Sequence, residues 1–297
     1  PDQQAFIMYQ ISGRSWIVMG DPVGDPDSHE ELVWHFRELV DRHDGRPVFY
    51  QVTDRSLQLY IDMGFTLSKL GEDARVPLAD FSLQGSARAE IRQAVNRAEK
   101  NGAEFSIVPK ADILTIMPEL QAVSDDWLSE KSAAEKGFSL GSFSTEYMQH
   151  FDCAVVRVND EIVAFANLWL APRGGEASID LMRHSKKAPK GIMDYLFAKL
   201  LLWSKSQNYE YFNLGMAPLS GLEQRPLAPL WHRLGTLVFN HGESFYNFDG
   251  LRRYKSKFHP EWQPRYLAAP GGITTLPRAL LDSATLISGG YRGLVSR

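Results

Sequence analysis

Arg252, Arg253, Lys255 and Lys257 place four cations within six residues, after an Asp249-Gly250 turn and the aromatic–polar alternation Phe245-Tyr-Asn-Phe248. On an extended segment Arg253, Lys255 and Lys257 share one face, because successive side chains alternate. On a helix Arg253 and Lys257 stack one turn apart and Lys255 points elsewhere. Either arrangement gathers positive charge beside aromatics, which suits a phosphate or carboxylate ligand. A solvated basic edge would have the same composition.

A second constellation is Asp180-Leu-Met-Arg183, at the end of a strand-like run and ahead of a basic loop carrying Lys186, Lys187 and Lys190. A strand end before a helix N-terminus is where α/β folds bind anions. Arg183 and the three lysines are therefore candidate phosphate ligands. Asp180 would orient Arg183 or bind a substrate amine, against the alternative of a plain structural Asp–Arg pair. Asn213 to Gly221 is rich in glycine and proline and reads as an irregular loop with backbone amides free for a ligand. Glu243 is a candidate base or amine ligand if partly desolvated.

Several chemistries lack their signatures. There is no Gly-x-Gly-x-x-Gly fingerprint, Walker loop or Gly-x-Ser-x-Gly elbow. The histidines show no metal-binding spacing, and the single Cys153 lies in an apolar run, which excludes an intrachain disulfide and a cysteine-based zinc site. No window approaches about 18 uninterrupted apolar residues. The net charge of −4 gives no global attraction to nucleic acid or to anionic membrane, so any such attraction must be local.

The elements that must position these groups alternate. Phe6–Ile11 and Ser15–Met19 read as strands around a tight turn, Val48–Val52 and Phe65–Leu70 as two more. Between them, Ser28 with Glu31 resembles a capping box for a helix burying Leu32, Val33, Phe36, Leu39 and Val40. Asp54 opens a second helix, which stops at Gly64. Residues 86–101 form an amphipathic helix with Arg88 and Arg92 on one face and Arg97 nearby, either an ordinary surface helix or a basic one facing an RNA backbone. In the second half, 109–131 is largely helical, 153–158 and 162–170 form a hairpin, and 177–182 is a third strand. A helix over 191–206 and a strand at 211–214 follow. The predicted fold class is α/β, an acetyltransferase-like architecture used twice, with mixed sheets flanked by helices. Its expected division is residues 1–84 and 85–297, the latter holding the basic helix, the catalytic unit and a C-terminal amphipathic helix. The stretch after residue 270 is apolar and basic, so it docks on the protein or lies on an anionic membrane.

Taken together, Gly13–Gly24, Asp180–His184, Asn213–Leu219 and Phe245–Phe258 resemble the cytoplasmic domain of the multiple peptide resistance factors, the bacterial aminoacyl-phosphatidylglycerol synthases. The resemblance covers nearly the whole chain. It implies two tandem acetyltransferase-like folds and transfer of lysine or alanine from aminoacyl-tRNA to phosphatidylglycerol, giving resistance to cationic antimicrobial peptides. It also implies a place at the cytoplasmic face of the bacterial inner membrane, and an upstream polytopic domain that flips the product. By position its functional residues are Asp180, Arg183, Glu243 and Lys255, with Glu210 and Glu223 as nearby alternatives to Glu243. Arg253, Lys257, Asn213, Lys187 and Lys190 are the expected substrate ligands, and Arg88, Arg92 and Arg97 the expected tRNA contacts.

An aminoacyl ester on tRNA is already activated, so no cofactor, nucleotide or metal is expected. The protein must bring two anionic substrates together, take a proton from a lipid hydroxyl and stabilise an oxyanion. The competing expectations are a tRNA-dependent transferase acting on a peptidoglycan precursor or a protein, and a noncatalytic RNA- or membrane-binding module. A coenzyme A-dependent acetyltransferase ranks lower, because the loop from Arg183 to Gly191 has one glycine, poor for a pyrophosphate cradle.

Overall fold

A computed structural model describes residues 4–131, 135, 137–222 and 248–289. The N-terminal half contains β1 (Ala5–Phe6), β2 (Tyr9–Ser12), β3 (Ser15–Met19), β4 (Val23–Gly24), α1 (His29–Asp41), β5 (Arg46–Thr53), α2 (Leu57–Asp62) and β6 (Phe65–Pro77). Next come α3 (Ala89–Lys100), β7 (Ala103–Val108), α4 (Ile113–Lys131), α5 (Thr145–Met148), β8 (Cys153–Val158), β9 (Glu161–Leu170) and β10 (Glu176–His184). The chain continues through α6 (Ile192–Ser206), β11 (Tyr211–Pro218), α7 (Phe248–Ser256), β12 (Glu261–Pro270) and α8 (Gly272–Ile287).

Ten strands form one mixed sheet in the order β2-β3-β5-β12-β6-β11-β10-β9-β8-β7. This is the expected α/β class. The expected boundary after residue 84 is not a boundary of the sheet, however. β12 lies between β5 and β6 and pairs with both, so a C-terminal strand completes the N-terminal half. The amphipathic α8 follows it there, burying Leu276, Ala279 and Leu280 against Ile17, Val48, Tyr50 and Leu70.

Alternation along the strands builds the layers. Val18, Phe49 and Ala268 pack with α1 and α2, while their neighbours Ile17, Val48 and Leu267 pack with α8. In the other half Val156, Ala164 and Ala166 lie under α3 and α6, and Val155 and Phe165 under α4. The β8–β9 hairpin turns through Asn159 and Asp160, both with positive φ (52° and 66°), the geometry such side chains tolerate best after glycine.

Two local expectations are corrected, and one left open is decided. Ser28 makes no capping hydrogen bond; Asp25 accepts one from the Asp27 amide, one turn of 3₁₀ helix earlier. Residues 213–218 are not a loop, since β11 runs to Pro218 against β6, and the glycine that suggested irregularity sits in a bulge. The basic cluster is helical over α7, which sets exposed Arg253 apart from buried Lys255.

Candidate functional site

Parallel strands β10 and β11 pair over Glu176–Ser178 and Tyr211–Asn213 and then part. β10 continues along β9 to His184, and β11 continues along β6 to Pro218. Each strand is bulged just beyond the last shared pair, between Ile179 and Met182 in β10 and between Asn213 and Met216 in β11. A bulge bends its own strand. The result is an opening at the carboxyl ends of two parallel strands joined by a crossover helix, the place where α/β sheets receive ligands.

On the β10 arm, the buried Asn167 of β9 holds the bulge. Its Oδ1 accepts from the amides of Asp180 (3.2 Å) and Leu181 (2.7 Å). The Asp180 carboxylate accepts from the Gly141 amide (2.7 Å) and from the Tyr147 hydroxyl. A Cβ on residue 141 would collide with that carboxylate, so glycine is what allows the approach. Burial, reinforced by Asp180, raises the Tyr147 phenol well above its ordinary pKa. Tyr147 therefore stays protonated and donates.

Arg183 is 3% exposed; both its Nη atoms are engaged elsewhere, while its Nε finds no hydrogen-bond partner among the described residues. Its two Nη atoms donate to the two oxygens of Glu135 (2.8 and 2.7 Å), Nη1 also reaches Ser124 of α4, and the guanidinium lies 5.0 Å from the Trp127 ring centroid. The expected Asp180–Arg183 pair does not form. Arg183 instead ties α4 and the segment after it to β10, and its fork is not turned to an outside phosphate.

On the β11 arm, Lys255 is 6% exposed, and its Nζ donates to the carbonyls of Gly215 (2.9 Å) and Met216 (3.0 Å). Burial pushes its pKa down to about 8 against the opposing pull of Asp73. An ammonium has three donors, and these two carbonyls take two. Asn213 shapes the bulge beneath: its Oδ1 accepts from the Gly215 amide (2.8 Å), and its Nδ2 donates to Asp73 (3.3 Å) and Glu176 (3.2 Å). Arg265 pairs with Asp73 (2.6 Å) and Arg75 with Glu176 (2.5 Å), so both carboxylates are compensated. Asn213 is therefore a positioning group in this network.

The remaining expected ligands disperse. Lys257 pairs with Glu90 (2.6 Å) and Asp194 (3.4 Å), and Lys187 with Glu161 (3.1 Å). Arg88 donates to the Lys257 carbonyl, and Arg92 to the carbonyls of Leu83 and Gly85, so both tie helix ends to neighbouring chain. Arg253, Lys190 and Arg97 are exposed. Arg252 pairs with Glu72 and lies over Trp262 at 4.2 Å. Glu243 and its alternative Glu223 lie outside the described residues; Glu210 is exposed. Of the expected residues, Asp180 and Arg183 thus lie on the β10 arm, and Asn213 and the Nζ contacts of Lys255 on the β11 arm. Sequence reading missed Asn167, Tyr147 and Glu135; the one visible signal was a lone asparagine inside the apolar run 162–170. Among the described residues no group of His, Cys, Asp and Glu is arranged to hold a metal ion, and no helix is long and apolar enough to cross a membrane.

Residues 1–269 match the family described as phosphatidylglycerol lysyltransferase, C-terminal. The chain belongs to that family. A phosphatidylglycerol lysyltransferase of Staphylococcus aureus (strain MRSA252) is 38% identical over 267 residues, 90% of this chain and 32% of the relative. The chain thus spans about a third of the length of the curated relatives it matches. Two solved structures are similar throughout. The C-terminal domain of a putative lysylphosphatidylglycerol synthetase from Agrobacterium fabrum is 46% identical, with a TM-score of 0.87 over 98% of this chain and 88% of that one. L-PGS from Bacillus licheniformis is 40% identical, with a TM-score of 0.87 over 97% and 87%. The family match covers both arms of the β10/β11 opening and the α7 helix that carries Lys255.

Proposed function

We propose that this domain transfers an amino acid, lysine in the first instance, from its tRNA ester to a hydroxyl of phosphatidylglycerol at the cytoplasmic face of a bacterial membrane. The observation that carries this reading is the family match over residues 1–269. The geometry supports it by supplying a carboxylate and an ammonium on the two arms of one opening. An upstream membrane domain that moves the product across the bilayer, and through it resistance to cationic peptides, belong to the same proposal.

The Asp180 carboxylate, oriented by Gly141 and Tyr147, keeps acceptor capacity for the ammonium of the incoming aminoacyl group. The Lys255 ammonium, fixed by two carbonyls, offers its remaining N–H to the oxyanion that forms when the lipid hydroxyl attacks the ester. The hydroxyl proton leaves with the ribose oxygen, so the transesterification balances without an added reactant. The donor ester is already activated, and the reaction as proposed draws on no cofactor.

Incubation with lysyl-tRNA or alanyl-tRNA and phosphatidylglycerol vesicles, with the lipids then resolved, tests the reading. Formation of lysyl-phosphatidylglycerol is the expected result. Product from alanyl-tRNA alone would change the donor, and binding of tRNA and vesicles without aminoacyl lipid would overturn the enzymatic reading.

A further inference from the structure

A cavity of about 280 Å³ opens at the other end of the molecule, lined by Arg14, Arg37, Asp41, Gly45, Arg46, Pro47, Pro270, Gly271 and Thr275. No residue of β10, β11 or α7 contributes to it. Three guanidinium groups and the Asp41 carboxylate line it, and Arg46 also pairs with the buried Asp282 at 3.9 Å, which leaves a net positive lining. Each arginine is anchored, Arg37 also lying between the Trp34 and Phe65 rings. Arg14 donates Nε to the Asp44 carbonyl (2.8 Å), Arg37 donates Nη1 to the Met63 carbonyl (2.6 Å), and Arg46 donates Nη1 to Ser15 (3.3 Å). Among the described residues each fork therefore keeps N–H donors that these contacts leave unused. Fixed, partly spent guanidinium groups around a concavity suit a phosphate ester.

The rim is apolar. Ile11 (48% exposed) stands two residues before the β2–β3 turn that carries Arg14. Trp34 (39%) lies beside the Arg37 guanidinium, 5.4 Å from ring centroid to Cζ, and Ile61 (51%) is two residues from Met63, whose carbonyl holds Arg37. Tyr9 of the edge strand β2, Met8 before it, and Phe6 and Val23 of the separate β1–β4 pair are also exposed. Large apolar side chains around a cationic pocket match the two layers of a membrane interface, phosphate outside and acyl chain beneath. An RNA backbone offers phosphate but nothing for isolated aliphatic side chains such as Ile11 and Ile61.

We infer that the Arg14/Arg37/Arg46 cavity binds the phosphate of an anionic phospholipid and that Ile11, Trp34 and Ile61 enter the headgroup region around it, docking the N-terminal half on the bilayer away from the transfer site. Flotation of the domain with phosphatidylcholine vesicles, with and without phosphatidylglycerol, tests this. Wild-type protein is expected to bind the phosphatidylglycerol-containing vesicles. Arg14→Ala weakens that binding about fivefold, in line with one cation near a charged surface. Ile11→Ser combined with Trp34→Ala weakens it by about tenfold through lost apolar contact. Both variants change exposed side chains and are expected to keep wild-type transfer to detergent-dispersed phosphatidylglycerol. That readout separates the docking site from the proposed reaction: loss of vesicle binding in these variants supports docking whether or not aminoacyl lipid is formed. Vesicle affinity unchanged in both variants overturns it, as does weaker tRNA binding by Arg14→Ala with vesicle binding intact.

Discussion

Lys255 Nζ sits 2.9 Å from the Gly215 carbonyl on the part of β11 that has separated from β10. This contact fastens α7 to the edge of the opening and fixes a cation there. Burial lowers its pKa from 10.5 to about 8, so the proton is held at neutral pH and lost within reach of ordinary assays. If the ammonium stabilises the oxyanion, transfer is constant below about pH 8 and declines above it. Lys255→Ala is expected to reduce turnover by about a hundredfold to a thousandfold. Lys255→Arg, which stays charged, is expected to lose the alkaline decline even where its rate is lower. A wild-type rate that rises through pH 8 would identify the neutral amine as a base instead.

The same shift has a stability consequence. Between about pH 8 and 10.5 the unfolded chain holds the Lys255 proton more tightly than the folded one. Stability therefore rises with pH across that window from this group, and is flat below it, where both states are protonated. Measured across the window, the stability of wild type relative to Lys255→Met should rise as pH increases. A relative stability of wild type that falls with pH would contradict the direction of the shift.

Gly141 and Tyr147 grip the Asp180 carboxylate from two sides. Gly141→Ala would drive a methyl group into that carboxylate and displace it. Tyr147→Phe removes one donor and leaves the backbone one in place. Both are expected to raise KM for the aminoacyl donor, Gly141→Ala more strongly, with Tm lowered by a few degrees at most for Tyr147→Phe. Steady-state kinetics with separately varied tRNA and lipid check this; a change confined to the lipid KM would remove Asp180 from amine binding.

How far the sequence reached depends on the range of the interactions. The β8–β9 hairpin was legible because Asn159 and Asp160 occupy positive-φ positions that other residues avoid. The α6 start was legible from Gly191, which has φ 88°. Asp180, Asn213 and Lys255 are named by the family resemblance; the structure places Asp180 on the β10 arm, and Asn213 and the Lys255 contacts on the β11 arm. Arg183 could not be resolved the same way, because its partner Glu135 is 48 residues distant and no periodicity links them. The insertion of β12 between β5 and β6 is likewise invisible locally, since it joins residues about 200 positions apart. The bulge in β11 misled for a different reason: Gly215, with φ 81°, has the composition of a loop while remaining in a strand.

Arg183 and Glu135 form a bidentate pair around a 3% exposed guanidinium. Removing the carboxylate strands a buried charge, so Glu135→Ala is expected to cost about 3 kcal/mol in stability. Arg183→Met, which removes the charge and keeps volume, is expected to cost less. Chemical denaturation of the two variants checks the order. If Arg183→Met abolished transfer while Tm and Asp180-dependent donor KM stayed at wild-type values, Arg183 would be acting on substrate directly.

Arg88 and Arg92 donate to internal carbonyls, whereas Arg97 and Arg253 are exposed. Cations already tied to the fold contribute little to counterion release, so under the proposed tRNA-dependent reaction the exposed pair should carry the tRNA contacts. Arg97→Ala and Arg253→Ala are each expected to weaken tRNA binding uniformly across tRNA species and to lower the slope of log affinity against log salt by about 0.7 to 1. Arg88→Ala is expected to leave that slope unchanged and to lower Tm instead, because it releases the Lys257 carbonyl and the stacking on Phe81 at 4.9 Å. Filter binding over a salt series, beside thermal melts, separates the two groups. A slope that falls for Arg88→Ala and not for Arg97→Ala would reverse the assignment and turn the start of α3, not its exposed end, toward the RNA.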